Sequence, residues 1–183
     1  MYNAFKIVKV NSEYCDFLRK FDEKVLYNAG LKELRPFIGI LFKIDDIEYF
    51  APLSSPKIKH KKIKNTIDLI KINDGELRVV NINNMIPVTN ENYIIFNLDK
   101  KSGNIKGQHR IKLLKKQLRW LTSNRKEVIT KSKLLYNLYI SNKLPINVKN
   151  RCCNFPLLET KCSEYKQSLT KRNHLLKQQI CFV

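Results

Sequence analysis

Between the apolar run EYFAPL and the lysine-rich stretch KIKHKKIK the chain carries Ser54, Ser55, Pro56 and Lys57. Two hydroxyls and an ammonium follow directly on a strand-like segment, and the proline between them restricts the backbone that presents them. This set suits a phosphate. Hydroxyls and cations can hold its oxygens and steady the negative charge that develops when the phosphorus is attacked. A lysine of ordinary pKa, about 10.4, is a poor base near neutral pH but a competent acid and charge stabiliser. Metal-free breakage of an RNA linkage needs three things: attack by the neighbouring 2′-hydroxyl, stabilisation of the phosphorane and protonation of the departing 5′-oxygen. From spacing alone, the same segment also suits a passive phosphate contact or a solvated connection.

Other routes to chemistry are poorly represented. There is no glycine-rich loop ending in Gly-Lys-Ser, no nucleophile elbow and no HExxH. Of the three histidines, His60, His109 and His174, only His60 shares the basic loop. The five cysteines include no Cys-x-x-Cys spacing, and Cys153, Cys162 and His174 match no common ligand set. Reduced thiols, no metal and no cofactor are the expectation.

Charge narrows the partner. The chain has a formal charge of +19, yet the residues from Lys101 onward hold 19 basic and 3 acidic side chains, so the front part is nearly balanced. Such asymmetry in a chain that is 43% hydrophobic and 28% charged points to a folded protein with a polyanionic partner, nucleic acid ahead of an anionic membrane. No run approaches the roughly 18 apolar residues of a membrane span, and Met1 to Val10 contains no signal-peptide core. A cytoplasmic protein without a membrane partner is expected.

The elements that must position the hydroxyl segment can be read from periodicity. Ala4 to Val10 alternates as a half-buried strand, and Asn11 or Ser12 caps the helix SEYCDFLRKF, with Tyr14, Phe17, Leu18 and Phe21 on its core side. Pro36 to Ile44 reads as a strand covered on both faces, with Gly39 marking a bend or a close approach; Asp45-Asp46 turns into the strand Glu48 to Leu53. Thr66 to Ile72 and Glu76 to Ile82 flank Asn73-Asp74-Gly75 as a tight hairpin. Asn83 to Val88, with its proline, fits an edge, and Tyr93 to Leu98 adds a strand. After an expected linker, Asp99 to Gln108, one helix carries the stripe Ile111, Leu114, Leu118 and Leu121, with Lys112, Lys115, Lys116 and Arg119 on other faces. A second helix spans about Asn124 to Asn142 and a last one starts near Pro156. The expected class is α+β: one domain, with a compact, strongly curved antiparallel β core over residues 1–98 and basic helices over 99–183.

RPFIGILFKIDDIEYFAPLSSPK (Arg35 to Lys57), followed by VVNINNMIPV (Val79 to Val88), resembles the toxins of type III toxin–antitoxin systems, the ToxN-like RNases and phage abortive-infection toxins. KSKLLYNLY (Lys131 to Tyr139) and CCNFPLLETKCSEYK (Cys152 to Lys166) are similar to the helical half of that family, so the likeness spans most of the chain in order. The resemblance implies a Kid- or MazF-like barrel with added helices. It implies an endoribonuclease that leaves 2′,3′-cyclic phosphate and 5′-hydroxyl ends on cellular and phage RNA. It also implies inhibition by a small repeat-derived RNA antitoxin that the toxin processes and with which it closes into an oligomer.

By motif position Ser55 matches the family's active-site serine and Lys57 the lysine beyond it. Ser54 stands where many members have threonine, Arg35 stands in a place often held by lysine, and Tyr27 lies near a family tyrosine. Arg35 can clamp a phosphate but can hardly transfer a proton. Lys59, His60, Lys61, Lys62 and Lys64 then rim the site, and Lys112, Lys115, Lys116 and Arg119 extend the RNA surface. The competing readings are a non-catalytic RNA-binding regulator and a DNA-binding repressor; no helix-turn-helix signature supports the latter.

Overall fold

The computed structural model describes residues 5–26, 35–39, 41–54, 61, 64–99 and 103–180, the last nine of them as backbone only. Its first strand, β1 (Lys6–Val10), leads into α1 (Ser12–Arg19). Asn11 is the cap: its side chain accepts hydrogen bonds from the Glu13 and Tyr14 amides at 2.8 and 3.3 Å, satisfying donors that the first turn leaves open. Tyr14 and Leu18 are fully buried, whereas Phe21 lies 41% exposed, its ring against Phe17 and beneath the Lys161 ammonium.

The strand expected over Pro36 to Ile44 is divided into β2 (Phe37–Gly39) and β3 (Lys43–Ile44), both paired with β4 (Ile47–Pro52). The cause is a bulge. Tyr49 bonds to Leu41 through its carbonyl and to Phe42 through its amide, and the register slips by two residues between the β2 and β3 pairings. Bulges add twist, which accounts for the local curvature. Gly39 fits the close approach foreseen for it, since a Cβ there would lie 3.2 Å from the Phe50 ring and 3.3 Å from Val8.

The hairpin around Asn73-Asp74-Gly75 forms with shorter arms than expected, β5 (Ile70–Ile72) and β6 (Arg78–Val80). Asn73, Asp74 and Gly75 all take positive φ, and the connection runs through Leu77. Two more short strands follow, β7 (Ile86–Val88) and β8 (Tyr93–Ile95). β8 pairs with β1, β1 with β2 and β2 with β4, while β7 pairs only with β4, where Pro87 lies opposite Tyr49 on an edge that can dispense with its missing N–H. β7 and β8 do not pair with each other, so the described strands form an open, curved antiparallel sheet and not the closed barrel the resemblance implied.

Helices cover this sheet: α2 (Ile105–Ser123), α3 (Arg125–Ile140), the short α4 (Ile146–Lys149), which the sequence reading did not foresee, and α5 (Phe155–Ile180). α2 begins inside the expected linker because the Asn104 side chain accepts the Gly107 amide at 2.7 Å. At the start of α5, Asn154 Oδ1 accepts the Leu157 amide while Asp22, reaching from the loop after α1, accepts the Asn154 amide at 2.6 Å. No described helix is long and apolar enough to cross a membrane. Cys15, Cys152, Cys153 and Cys162 are buried thiols.

Three elements meet at one carboxylate. Tyr49 of β4 and Tyr136 of α3 donate their hydroxyls to Glu159 Oε1 of α5 at 2.6 and 2.8 Å. Burial, then the neighbouring Glu159, pushes both phenols above their ordinary pKa and keeps them as donors. Their rings belong to an aromatic stack with Phe42 and Phe155. Glu159→Ala is expected to destabilise the fold by about 2–4 kcal/mol, because it strands two buried donors. Glu159→Gln should cost about half as much, as read from urea midpoints. Equal midpoints for wild type and Glu159→Ala would show that this junction carries no stability.

A second tie joins the hairpin to the helical layer, Arg151 Nε to Asp68 Oδ2 at 2.9 Å. Burial alone would raise the Asp68 pKa, but the Arg151 guanidinium holds it below the ordinary carboxylate value. A folded-state pKa below the unfolded value, about 3.9, adds stability that is complete above that value and fades as the pH falls toward the lower one. Asp68→Asn should therefore flatten the acid limb of a stability–pH curve while leaving its shape near neutrality intact. Superimposable acid limbs would show that Asp68 contributes no linkage.

Candidate functional site

The C-terminal end of β4 is gripped from both edges. Phe37 lies opposite Pro52 and the Leu53 amide donates to the Pro36 carbonyl at 2.9 Å, so the β2 ladder continues one step further, to Pro36 and Leu53. On the other edge the Asn81 amide donates to the Pro52 carbonyl at 3.1 Å and Leu53 pairs with Val80. The Ser54 amide and Oγ both donate to the Val79 carbonyl, at 3.1 and 3.3 Å. Alternate backbone groups of one strand thus bond to opposite neighbours, which fixes where Ser54 sits. Arg35 is half-buried. Burial lowers its pKa, Cys15 opposes that shift and the like charge of Arg19 adds to it, but a guanidinium remains charged throughout.

A second set of polar groups adjoins this end. Arg78 precedes Val79, takes φ 123° and has a buried Nε without a hydrogen-bond partner. Burial and the like charge of Arg110 push its pKa down to about 10. Gln117 of α2 is fully buried; its Nε2 donates to the Leu77 carbonyl while its Oε1 has no partner. Arg110, Leu114, Gln117 and Leu121 share the helix face turned to the hairpin.

Among the residues singled out from the sequence, Arg35 and Ser54 are described, each next in the chain to one member of the bonded Pro36–Leu53 pair. Ser55, Lys57, Tyr27, Lys59, His60 and Lys62 lie outside the described residues. Lys61 is exposed, with Nζ 3.2 Å from Glu76 Oε1, and its carbonyl accepts from Lys71; Lys64 is exposed as well. Lys112, Lys115, Lys116 and Arg119 are all exposed, on the side of α2 opposite the hairpin, and Lys115 pairs with Asp99 at 2.9 Å. They form a separate surface from the Arg35–Ser54 end. The sequence reading passed over Arg78, Arg110 and Gln117. An alternating pattern gives no notice of a positive φ at Arg78, but a glutamine at helical spacing between Leu114 and Leu121 was a readable signal. Among the described residues no three His, Cys, Asp or Glu side chains gather as a metal would require.

The arrangement can bind and polarise a phosphate through fixed cations and hydroxyls at a rigid strand end. Relatives carry the same architecture. Endoribonuclease ToxN of Bacillus thuringiensis subsp. kurstaki is 31% identical over 172 residues, which cover 88% of this chain and 84% of the relative. Endoribonuclease AbiQ of Lactococcus lactis subsp. lactis is 32% identical over 177 residues, 91% of this chain and 92% of the relative. A solved structure of a type III toxin selectively inhibited by a non-coding RNA pseudoknot superposes with a TM-score of 0.77 at 32% identity, covering 90% of this chain and 99% of that one. The structure of AbiQ, a lactococcal anti-phage endoribonuclease, gives a TM-score of 0.76 at 25% identity over 90% of this chain and 99% of that one. The profile of the family described as toxin ToxN, type III toxin–antitoxin system, matches residues 6–163, and the chain belongs to that family.

Proposed function

We propose that this protein is an endoribonuclease toxin that cuts RNA without a metal and is held inactive by a small RNA. The observation that supports the reading is the double clamp on the end of β4, whose next residues in the chain are Ser54 and Ser55-Pro56-Lys57. Relatives matched over most of their length are endoribonucleases. In the reaction the 2′-oxygen forms a bond to phosphorus as the bond to the 5′-oxygen breaks. The 2′-hydroxyl proton passes to a base and a proton is delivered to the departing oxygen, leaving a 2′,3′-cyclic phosphate and a 5′-hydroxyl.

Ser55 donates its hydroxyl to a non-bridging oxygen. The Lys57 ammonium steadies the phosphorane and can protonate the leaving group, while Arg35 clamps the phosphate. Ser54, tied to the Val79 carbonyl, serves as the positioning residue, and Tyr27 supplies a further hydroxyl. Lys59, His60, Lys61, Lys62 and Lys64 hold the flanking strand, and Lys112, Lys115, Lys116 and Arg119 hold RNA along the outer face of α2.

In the same reading the inhibitor is a repeat-derived RNA that the toxin itself processes. Toxin and RNA close into an oligomer, and the pair acts in the cytoplasm against phage, on cellular and phage transcripts. The curved sheet is a Kid- and MazF-type core left open at β7 and β8. Residues 1–98, with the site, and 99–183, with the basic helices, work as one unit.

Purified protein incubated with total RNA in excess EDTA tests this. Wild type should yield fragments whose 5′ ends accept phosphate from a polynucleotide kinase without prior dephosphorylation. Ser55→Ala and Lys57→Ala should each slow cleavage by about 100- to 1000-fold. Both should bind uncleavable 2′-O-methyl RNA within a few-fold of wild type. RNA left intact by wild type in EDTA, or variants as active as wild type, would falsify the proposal.

A further inference from the structure

Beyond Lys101 the chain has three acidic side chains among 19 basic ones, and two of the three have partners. Glu159 accepts two phenols, and Glu164 pairs with Lys161 at 2.9 Å. The third, Glu127 in the first turn of α3, makes no hydrogen bond or ion pair with a described residue. Lys131 lies four residues further on, the order and spacing in which a helix most readily pairs opposite charges, yet no ion pair joins the two. Nor does Glu127 close a capping box, since the Asn124 amide already donates to the Trp120 carbonyl at 3.0 Å.

Both charges line one groove, of about 670 Å³, between α3 and the segment that precedes β5. That volume lies within the range of small-molecule sites. Ile67 and the 46%-exposed Leu134 give the groove apolar walls, and Lys126, Glu127, Thr130 and Lys131 stand along its α3 side. Lys131 is half-buried; burial lowers its pKa, while Glu127 and Asp68 oppose the shift. Ser132 and Ser141 return their hydroxyls to helix carbonyls at 2.8 and 2.7 Å, whereas the Thr130 hydroxyl bonds to no described residue.

Apolar walls with a carboxylate and an ammonium on one side select the occupant. A phosphate would meet the carboxylate, and an aliphatic side chain would desolvate two charges and pair with neither. An unpaired nucleobase covers apolar walls with its faces and turns its hydrogen-bonding edge to the polar groups. Guanine carries two adjacent N–H donors, at N1 and N2, beside the O6 acceptor. The donors suit both oxygens of a carboxylate and O6 suits an ammonium, and groups four residues apart on a helix, with Cβ atoms about 5–6 Å apart, can span that edge. Adenine and cytosine offer a carboxylate one amino group and uracil one N–H, so guanine alone satisfies both oxygens. We propose that the groove between α3 and Ile67 holds one unpaired guanine of a bound RNA strand, with Glu127 taking its two donors, Lys131 its O6 and Lys126 the adjoining phosphate. This rests on the reading of the protein as one that binds RNA and adds to it a preference among bases, with no part for the groove in the chemical step.

The test titrates full-length wild type, Glu127→Gln and Lys131→Gln with short 2′-O-methyl RNAs, which lack the attacking hydroxyl. One pool is a mixed sequence of adenine, cytosine and uracil; a second has a single central guanine, and a third has inosine there, which lacks the N2 amino group. Unfolding is followed by melting. Wild type should bind the guanine pool about 10-fold tighter than the guanine-free pool, with inosine between them. Glu127→Gln should bring the guanine and guanine-free pools within about 2-fold of each other by weakening the guanine pool alone. Plain electrostatics demands the opposite, because removing a carboxylate from a protein of charge +19 strengthens its hold on every RNA. Lys131→Gln should weaken both pools, and the guanine pool more. Neither variant should shift Tm by more than about 2 °C, since neither side chain has a partner to lose.

Equal binding of the pools by wild type would overturn the site, as would a Glu127→Gln variant that holds all pools more tightly. A lower Tm in Glu127→Gln with the base preference intact would mark a helix-end role for the carboxylate and overturn it too. Micromolar binding of guanosine monophosphate without any preference among the RNA pools would mark a site for a free nucleotide, with the same result. If wild type prefers the guanine pool through Glu127 yet never cuts unmodified RNA, the groove stands and the endoribonuclease reading falls. If it cuts RNA and binds the pools alike, the reverse holds.

Discussion

The half-buried carboxylate of Glu159, accepting two phenolic hydroxyls at once, locks β4 to the helices that cover it. Tyr49 lies midway along β4, so this junction sets the depth of the strand against α3 and α5, while the neighbouring strands set its lateral position. A buried network of this kind is favourable only when every member is satisfied, so its three elements cannot drift independently. Ser54 lies five residues beyond Tyr49, just past the end of that strand, and its position is inherited from that junction and from the bonds on both edges. The helical layer thus serves the β end of the molecule mechanically as well as by its charge.

Local chemistry explains what could be read in the sequence. Asn11 as a cap, the turn at Asp45-Asp46 and the positive φ values after Ile72 all follow from residue types whose preferences act over a few positions. The edge placement of the strand holding Pro87 follows from a missing N–H, equally a local property. The division of Pro36 to Ile44 was not legible, because the bulge depends on Tyr49, eight residues beyond Leu41, bonding to two successive partners. Nor was the early start of α2, where Gly107 reads as a linker residue until Asn104 supplies its cap.

For the site, motif order singled out Arg35 and Ser54, and strand register sets each next in the chain to the bonded Pro36–Leu53 pair. The environment of Arg78 depends on α2, far away in the chain, and on a backbone angle that no residue pattern encodes. Helix α2 also divides its cations by depth. Arg110 lies half-buried over an aromatic ring, whereas Lys112, Lys116 and Arg119 stand in water on the opposite side. Exposed charges are screened over roughly 8–10 Å at ordinary ionic strength, so the outer group contributes through its summed potential. The inner cation acts by contact and geometry.

The four described sulfhydryls are packed as small apolar groups in the core. Burial, then nearby Asp68, pushes Cys152 up to about 11, and burial together with Asp22 raises Cys153 as well. Thiolate is the form that oxidants and electrophiles attack, and Cys152 and Cys153 hold almost none of it at neutral pH. At Cys152 and Cys153, then, the fold keeps the sulfur in the form that oxidants attack slowly, and these side chains serve packing.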